Sequence, residues 1–497
     1  MRKDAIGPAQ NSWGETANAI RGHVTPGPMR GPILVIFALS IPFLSGCLDG
    51  TASVANEADE AAAAWRPPHT FVTLDKLRPL TRDPLSGDTN ATHVHANAAQ
   101  HSDQFNVERL AHLPGEGSQR FSELDIQGDY AYQCSGGGFR IIDISNRSHP
   151  VLVSTHSGTN CADLKATSDG VFVIVMGREI VDVRDKLNPK QVTAASGASC
   201  HMCYIKKIGE KEYFFAARDN RASHTVPPGV GISIFEFTRE PPTLTYLSQF
   251  TVPPEKRPNT HMPDGDTFTY TVHDMTVYDD PILKKPVMLA AYWDLGVRIV
   301  DVSDPKSPRE IGFWDDFKGD LGDIHTVGMD FIGSKRIIAA GTENGAIIDP
   351  VGSASGYSVG YVYLIDATDL SNLKTVGKWL NPGKHSSGRD SVGVYSMHNL
   401  QFVSGRVYAA SYHAGLWIID AAGFVNTKQP DQARTLQKND GVRSFGFHFT
   451  TDAKTAVNLW DVVVKDGYTY GSDIGNGLHV LHFFGDPLGD PTFTSIG

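Results

Sequence analysis

The sequence lacks a basic cluster and the common catalytic motifs. Its 497 residues include 44 Lys and Arg against 55 Asp and Glu, a formal net charge of −11. Because affinity for a phosphate backbone depends on clustered Lys and Arg, this composition argues against nucleic-acid binding. We also find no serine nucleophile elbow, phosphate-binding loop or zinc-protease helix motif. These absences favour a binding module over an enzyme.

Long apolar runs are also missing. The uncharged stretch 33–44 has about a dozen residues, too short for the roughly 20 that span a bilayer as a helix. It ends in Leu-Ser-Gly before Cys47, which resembles a prokaryotic lipoprotein signal. The resemblance implies cleavage before Cys47 and lipidation of its thiol, whereas a plain signal peptide or a buried strand would leave Cys47 without a role. We therefore assign 1–47 to an N-terminal extension and signal peptide, with Met29 as an alternative start.

Residues 48–106 are rich in Ala, Asp, Glu, Thr, His and Pro and have little apolar periodicity. This composition is typical of a tether. Together with the signal, it predicts an exported protein held by a lipid anchor on the outer side of a membrane, either periplasmic or at the cell surface.

One short motif recurs through the remainder of the chain. Each copy has a glycine turn, a β-branched and aliphatic run and then an acid, usually followed by a proline-containing turn. The seven copies span residues 138–145, 178–183, 231–236, 296–308, 361–366, 415–420 and 477–482. We expect the acid to cap the turn by accepting a hydrogen bond from the backbone N–H two residues further on.

The repeat spacing is roughly 40 to 55 residues, long enough for four short strands per unit. Seven such units arranged around an axis predict an all-β fold, a seven-bladed β-propeller of four-stranded blades over 107–497, with a linear β-solenoid as the alternative. The last unit lacks an outer strand after His482, and 107–113 is placed to supply it and remove an exposed edge.

The repeated glycine-aliphatic-Ile/Val-Asp motif resembles the LVIVD repeat of secreted and surface-anchored prokaryotic propellers. The resemblance covers roughly residues 107 to 485 and implies a propeller at the cell surface. The resemblance implies no reaction common to the family. Units three and seven depart from the motif, with Glu236 and His482 at the position that is aspartate in the other copies.

Four consecutive units carry histidine at the same opening position. These residues are His201, His273, His325 and His398. In a propeller they would ring the mouth of the central channel, where neutral imidazoles suit iron, copper or zinc. The alternative is that each histidine links neighbouring blades by hydrogen bonds. The next column holds Glu123, Asp163, Asp274, Asn399 and Asp461, which are placed to orient imidazoles.

Four cysteines fall near the same end of the units. They are Cys134, Cys161, Cys200 and Cys203. Disulfides are expected in an exported protein. Pairing of neighbours in sequence is the simplest scheme, but Cys161 and Cys200 occupy equivalent positions and are an alternative pair.

The long insertions at this end are where a binding site is expected. Their candidate binding residues are His224, Glu343, Asn344, His385 and Arg389. The leading hypothesis is a lipid-anchored surface module that binds a protein, glycan or small ligand. The alternatives are a metal-dependent oxidase or hydrolase built on the histidine column, and a structural spacer in a surface assembly.

Overall fold

The computed structural model describes the repeat region of the chain. The described residues are 104–105, 107–193, 198–218, 231–253, 256, 271–316, 323–343, 347–348, 357–380, 394–412, 414–425, 444–448 and 457–483. The predicted signal peptide, the lipidation site Cys47 and the tether up to residue 103 lie outside these ranges. Within them, no helix has the length and hydropathy of a membrane span.

The described chain is almost entirely β-structure, with a single short helix, α1 (Ala421–Val425). The strands are β1 (Gln104–Phe105), β2 (Val107–Leu113), β3 (Phe121–Gln127), β4 (Tyr130–Ser135), β5 (Gly138–Asp143), β6 (Val151–Ser157), β7 (Leu164–Ala166), β8 (Phe172–Val175), β9 (Glu179–Asp182), β10 (Lys190–Thr193), β11 (Cys203–Ile208), β12 (Lys211–Arg218), β13 (Gly231–Arg239), β14 (Pro242–Phe250), β15 (Asp274–Asp280), β16 (Lys285–Tyr292), β17 (Gly296–Asp301), β18 (Arg309–Trp314), β19 (Asp323–Ile332), β20 (Lys335–Glu343), β21 (Ile347–Ile348), β22 (Tyr357–Val359), β23 (Tyr361–Asp366), β24 (Lys374–Leu380), β25 (Val394–Tyr395), β26 (Leu400–Val403), β27 (Arg406–Ala410), β28 (Leu416–Asp420), β29 (Ser444–His448), β30 (Leu459–Lys465), β31 (Tyr468–Asp473) and β32 (Gly477–Phe483).

Most of these strands form seven antiparallel blades in a ring, which confirms the predicted seven-bladed β-propeller. Strands β21, β22 and β25 form a separate three-stranded sheet in which β22 and β25 are parallel. Blades 1 to 4 are β3–β6, β7–β10, β11–β14 and β15–β18, and blade 5 is β19, β20, β23 and β24. Blade 6 contains β26–β29, and blade 7 contains β30–β32. The first strands of successive blades contact one another, and β30 returns to β3, so the ring is closed and the linear solenoid is excluded.

The N-terminal segment closes the ring. Strand β2 pairs antiparallel with β32 and becomes the outer strand of blade 7, as the missing strand of the last unit predicted. Strand β1 lies in the segment assigned to the tether, yet it pairs with β29 as a fifth strand of blade 6. A two-residue strand carries too little periodicity to be read from sequence.

The repeat motif forms the third strand of each blade and the turn after it. The predicted capping bond is present in four copies, where the backbone N–H two residues further on donates to the acid. The donor-to-acceptor pairs are Ser145 to Asp143, Arg184 to Asp182, Ser303 to Asp301 and Thr368 to Asp366. The motif acids are therefore turn residues.

Apolar side chains of the blades pack against those of the next blade. At the closure, Leu124 and Ile142 of blade 1 form one cluster with Tyr470 and Val480 of blade 7. Sheet faces buried in this way explain why one unit is not stable alone and why the ring must close.

Candidate metal centre

The blade register places the four column histidines at one end of the channel. The backbone N–H groups of His201, His273 and His398 donate to the carbonyls of Ala217, Ala291 and Ala410, at 2.8, 2.8 and 2.9 Å. His325 enters β19 at a bulge between Ile324 and Thr326. The column therefore belongs to blades 3 to 6, each histidine on or just before the inner strand of its blade.

The imidazoles form a continuous row. The Nε2 atoms of His201 and His273 lie 2.9 Å apart. Ring centroids are 3.7 Å apart for His273 and His325, and 4.4 Å apart for His325 and His398. Trp460 of blade 7 continues the row, 3.8 Å from the His398 ring. The structure thus places the four predicted metal residues side by side in a row, and of the four only His273 and His325 belong to a group of ligand atoms within 4.8 Å of one another.

A carboxylate joins this row from the end of β20. One oxygen of Glu343 lies 3.4 Å from Nε2 of His325, and the other accepts a hydrogen bond from the Tyr412 hydroxyl. Ligand atoms of His273, His325 and Glu343 all lie within 4.8 Å of one another, the one such group of three among the described residues. Two imidazoles and a carboxylate form a ligand set that suits a divalent transition metal.

The hydrogen bonding of His325 fixes which nitrogen faces this group. Its Nδ1 lies 2.9 Å from the backbone carbonyl oxygen of His398, which only accepts, so Nδ1 carries the proton. In the neutral ring, Nε2 then presents a lone pair to the Glu343 carboxylate. Two acceptors in contact repel each other. Because His325 is 0% exposed, solvent does little to screen this repulsion. A cation between them, or protonation of His325, removes this repulsion.

The surroundings of His398 favour its neutral form. Burial and the neighbouring His325 and His201 lower the pKa of His398 well below its usual range. Neutral imidazole is the form that binds metal. His398 itself acts on the group of three through its carbonyl, which orients His325.

The acids of the next column lie deeper in the channel and bond mainly across blade boundaries. Asn399 donates to Glu123 and Asp461 at 2.9 Å. Lys165 donates to Asp163 within blade 2 at 2.7 Å and to Glu123 of blade 1 at 3.3 Å. Asp461 also accepts the backbone N–H of Leu124 in the next blade. These contacts give the column a structural role between blades.

A cavity of about 840 Å³ adjoins this acidic layer, lined by residues that include Glu123, Lys165, Asp274 and Asn399. Burial raises the pKa of Asp274 to about 7 and that of Asp163 to about 6, although Lys165 opposes both shifts. Burial, followed by repulsion from Asp461, also raises the pKa of Glu123 well above its usual range. The raised pKa values favour protonation of Glu123 and partial protonation of Asp274 near neutrality, so the layer is not fully charged.

The four cysteines pair with their neighbours in sequence. Disulfides join Cys134 to Cys161 and Cys200 to Cys203, so the alternative pairing of Cys161 with Cys200 is not formed. The second bond brackets His201, one of the row.

A family model matches two of the repeats. The family model of the LVIVD repeat matches residues 121–157 and 290–316, which cover blade 1 and the second half of blade 4. The chain is a repeat β-propeller, and these two segments match the LVIVD repeat.

Solved structures are similar to this chain only at low identity. Sqt1 of Saccharomyces cerevisiae is 11% identical, covering 75% of this chain and 98% of its own, with a TM-score of 0.42. The WD40 propeller domain of Doa1 is 10% identical, covering 76% and 96%, with a TM-score of 0.44. The designed protein Ika8 is 12% identical, covering 76% and 99%, with a TM-score of 0.38. No protein of curated function matches the chain.

Of the predicted binding residues, Glu343 lies against His325. His224, Asn344, His385 and Arg389 fall outside the described residues. Sequence reasoning gave no role to Trp293 and Tyr412, which contact the row through His273 and His398. Both lie three residues before the repeat glycine of their unit and form an isolated bridge to the next blade. This shared position is the signal that could have found them.

Proposed function

We propose that this propeller is a metal-binding protein whose channel mouth holds one transition-metal ion through His273, His325 and Glu343. The observation that carries the proposal is the contact between Nε2 of His325 and the Glu343 carboxylate at 3.4 Å. With Nδ1 of His325 bound to a carbonyl, this contact is favourable when a cation lies between the two groups.

The ligand set narrows the metal class. Imidazole nitrogens with one carboxylate are typical of zinc and iron sites, and imidazole also suits copper. Calcium and magnesium prefer oxygen ligands and are a poor match. We therefore infer iron, copper or zinc.

An enzyme is the second candidate, and one observation favours it. Three protein ligands leave coordination positions open, as in catalytic metal sites, and the Tyr412 hydroxyl donates to Glu343 beside them. A metal-dependent oxidase or hydrolase is the reaction class that this arrangement supports.

Export and display at a membrane surface belong to the same proposal. The two disulfides are typical of an oxidising compartment and so support export. A lipid anchor at Cys47 would hold the propeller at the membrane. The end of the channel that carries the histidines would then bind its protein, glycan or small ligand, as expected of an interaction module.

Metal content and affinity test the proposal directly. Protein purified from its native host without added metal or chelator is analysed by inductively coupled plasma mass spectrometry. Wild type is compared with Glu343→Gln and with Glu236→Gln, a matched change at an exposed pair with Lys211. We expect about one metal per chain in wild type and Glu236→Gln, and a loss of affinity of at least about 10- to 100-fold in Glu343→Gln.

Two results would overturn the metal proposal. One is a native protein that carries no metal and takes up no iron, copper or zinc on titration. The other is equal affinity in wild type and Glu343→Gln, with both proteins folded by circular dichroism.

A further inference from the structure

We propose that His201 is a fourth ligand of the metal and that the Cys200–Cys203 disulfide positions it. This inference rests on the proposed metal centre. It adds a fourth ligand to the three and makes the metal affinity depend on a disulfide. The ion would then lie between blades 3, 4 and 5.

The first step of the argument is distance. Nε2 of His201 lies 2.9 Å from Nε2 of His273, and the two rings meet edge to face at 75°. In a tetrahedral zinc site with Zn–N bonds of about 2.0–2.1 Å, two ligand nitrogens are about 3.3 Å apart. A shift of a few tenths of an ångström therefore brings this pair to ligand spacing. The His201 ring must also move toward His325 and Glu343, because it lies outside the group whose ligand atoms are all within 4.8 Å of one another.

The second step is how His201 is held. It lies in the four-residue segment closed by the Cys200–Cys203 disulfide, whose Cα atoms are 5.9 Å apart. Both ends of that segment are bound to blade 2. The backbone N–H of Cys200 donates to the Met176 carbonyl at 3.1 Å, and that of Cys203 donates to the Asp163 carboxylate.

The third step is that burial protects this arrangement. Cys200 and Cys203 are 4% and 1% exposed, and Met202 between them is also buried. The disulfide leaves the backbone of His201 few alternatives, so its imidazole reaches the metal at a small entropic cost. Without the bond, the segment from 200 to 203 must be ordered by packing alone.

Blade 2 supplies a matched control. Cys161 occupies the position equivalent to Cys200, but the following column residue is Ala162, and Cys161 pairs with Cys134 of blade 1. Removing this disulfide also removes a buried covalent bond from the same end of the propeller. It removes no support from a histidine.

The experiment titrates Co²⁺ into the full chain and records the visible absorption of the bound ion together with its affinity. Tetrahedral Co²⁺ absorbs much more strongly than five- or six-coordinate Co²⁺, so the spectrum reports coordination and not only stability. The proteins are wild type, His201→Gln, Cys200→Ser/Cys203→Ser and Cys134→Ser/Cys161→Ser. Circular dichroism and the thermal midpoint accompany each titration.

We expect a strong tetrahedral spectrum in wild type and in the Cys134/Cys161 variant. His201→Gln is expected to lose about 10- to 100-fold in affinity and to show the weaker spectrum of higher coordination. The Cys200/Cys203 variant is expected to shift in the same direction. If the Cys200/Cys203 variant does not fold, His201→Gln alone decides whether His201 is a ligand. The role of the disulfide is then decided by comparing oxidised wild type with wild type that has been reduced by a dithiol and alkylated at its free thiols.

The two proposals fail in distinguishable ways. Co²⁺ that binds none of the proteins overturns the metal centre and this inference with it. Co²⁺ that binds wild type and His201→Gln with the same affinity and spectrum overturns the fourth ligand alone. Loss of affinity in His201→Gln but in neither disulfide perturbation overturns the positioning role of the disulfide.

Discussion

At the scale of single residues, one backbone contact accounts for the chemistry of the site. The carbonyl of His398 holds Nδ1–H of His325 and so turns Nε2 toward Glu343. A buried histidine with a fixed tautomer and a carboxylate in front of it is poised for a cation. The ligand position is therefore set by main-chain geometry, which a sequence does not display.

A second residue-scale consequence concerns Asp274 in the acidic layer. Burial raises its pKa to about 7, against about 3.9 in an unfolded chain. Between these values the folded state binds the proton and the unfolded state does not, so stability falls as pH rises from about 4 to about 7. Asp274→Asn removes this dependence while its amide oxygen still accepts from the backbone N–H of Met275.

We expect Asp274→Asn to gain stability relative to wild type as pH rises from 5 to 8, by on the order of 2–4 kcal/mol. Chemical denaturation at several pH values measures the difference. Asp279→Asn, at an exposed carboxylate paired with Lys206, is the control and is expected to show a small, flat difference. A difference between Asp274→Asn and wild type that does not change with pH would contradict the assignment.

At the scale of elements, the repeat glycine is a backbone requirement. Gly296 begins β17 with φ +77°, and a Cβ there would lie 2.1 Å from the carbonyl oxygen of Trp314. Gly333, in the turn between β19 and β20, has a similar φ of +62° but open space around it. The two positions separate backbone conformation from steric crowding.

We therefore predict that Gly333→Ala lowers the free energy of unfolding by about 1–2 kcal/mol, the cost of left-handed backbone alone. Gly296→Ala should cost about 3 kcal/mol or more, because the strand edge must also move. Urea denaturation of the two variants beside wild type measures both values. Equal costs would mean that the repeat glycine is retained only for its dihedral angle.

The same elements show how far sequence reasoning reaches. Strand β5 and its capping Asp143 follow from alternation and turn chemistry, and the closing strand β2 follows from the missing edge of the last unit. The histidine row follows from repeat register. The contact between Glu343 and His325 does not, because the path of the chain beyond the end of β20 depends on tertiary packing. The pairing of Cys200 with Cys203 was one of several that spacing allowed.

At the scale of the whole molecule, ring closure places the proposed ligands, which come from two blades, around one point. His273 precedes the first strand of blade 4, while His325 and Glu343 belong to the first two strands of blade 5. The inner strands of these blades contact each other, as do those around the whole ring. An ion held by the three groups would therefore link two blades, and its binding energy would add to the stability of the closed ring.

This linkage gives the last prediction. At a free Zn²⁺ concentration about 100 times the dissociation constant, binding to the folded state alone stabilises it by about 2.7 kcal/mol, which raises the thermal midpoint by several degrees. The rise should be reversed by a chelator and abolished in Glu343→Gln, yet retained in Glu236→Gln. Differential scanning calorimetry over a range of Zn²⁺ concentrations measures it. Zinc bound by histidines of the unfolded chain would lower the thermal midpoint, and it would do so in all three proteins. A midpoint that rises equally in wild type and Glu343→Gln would therefore place the stabilising ion at another site.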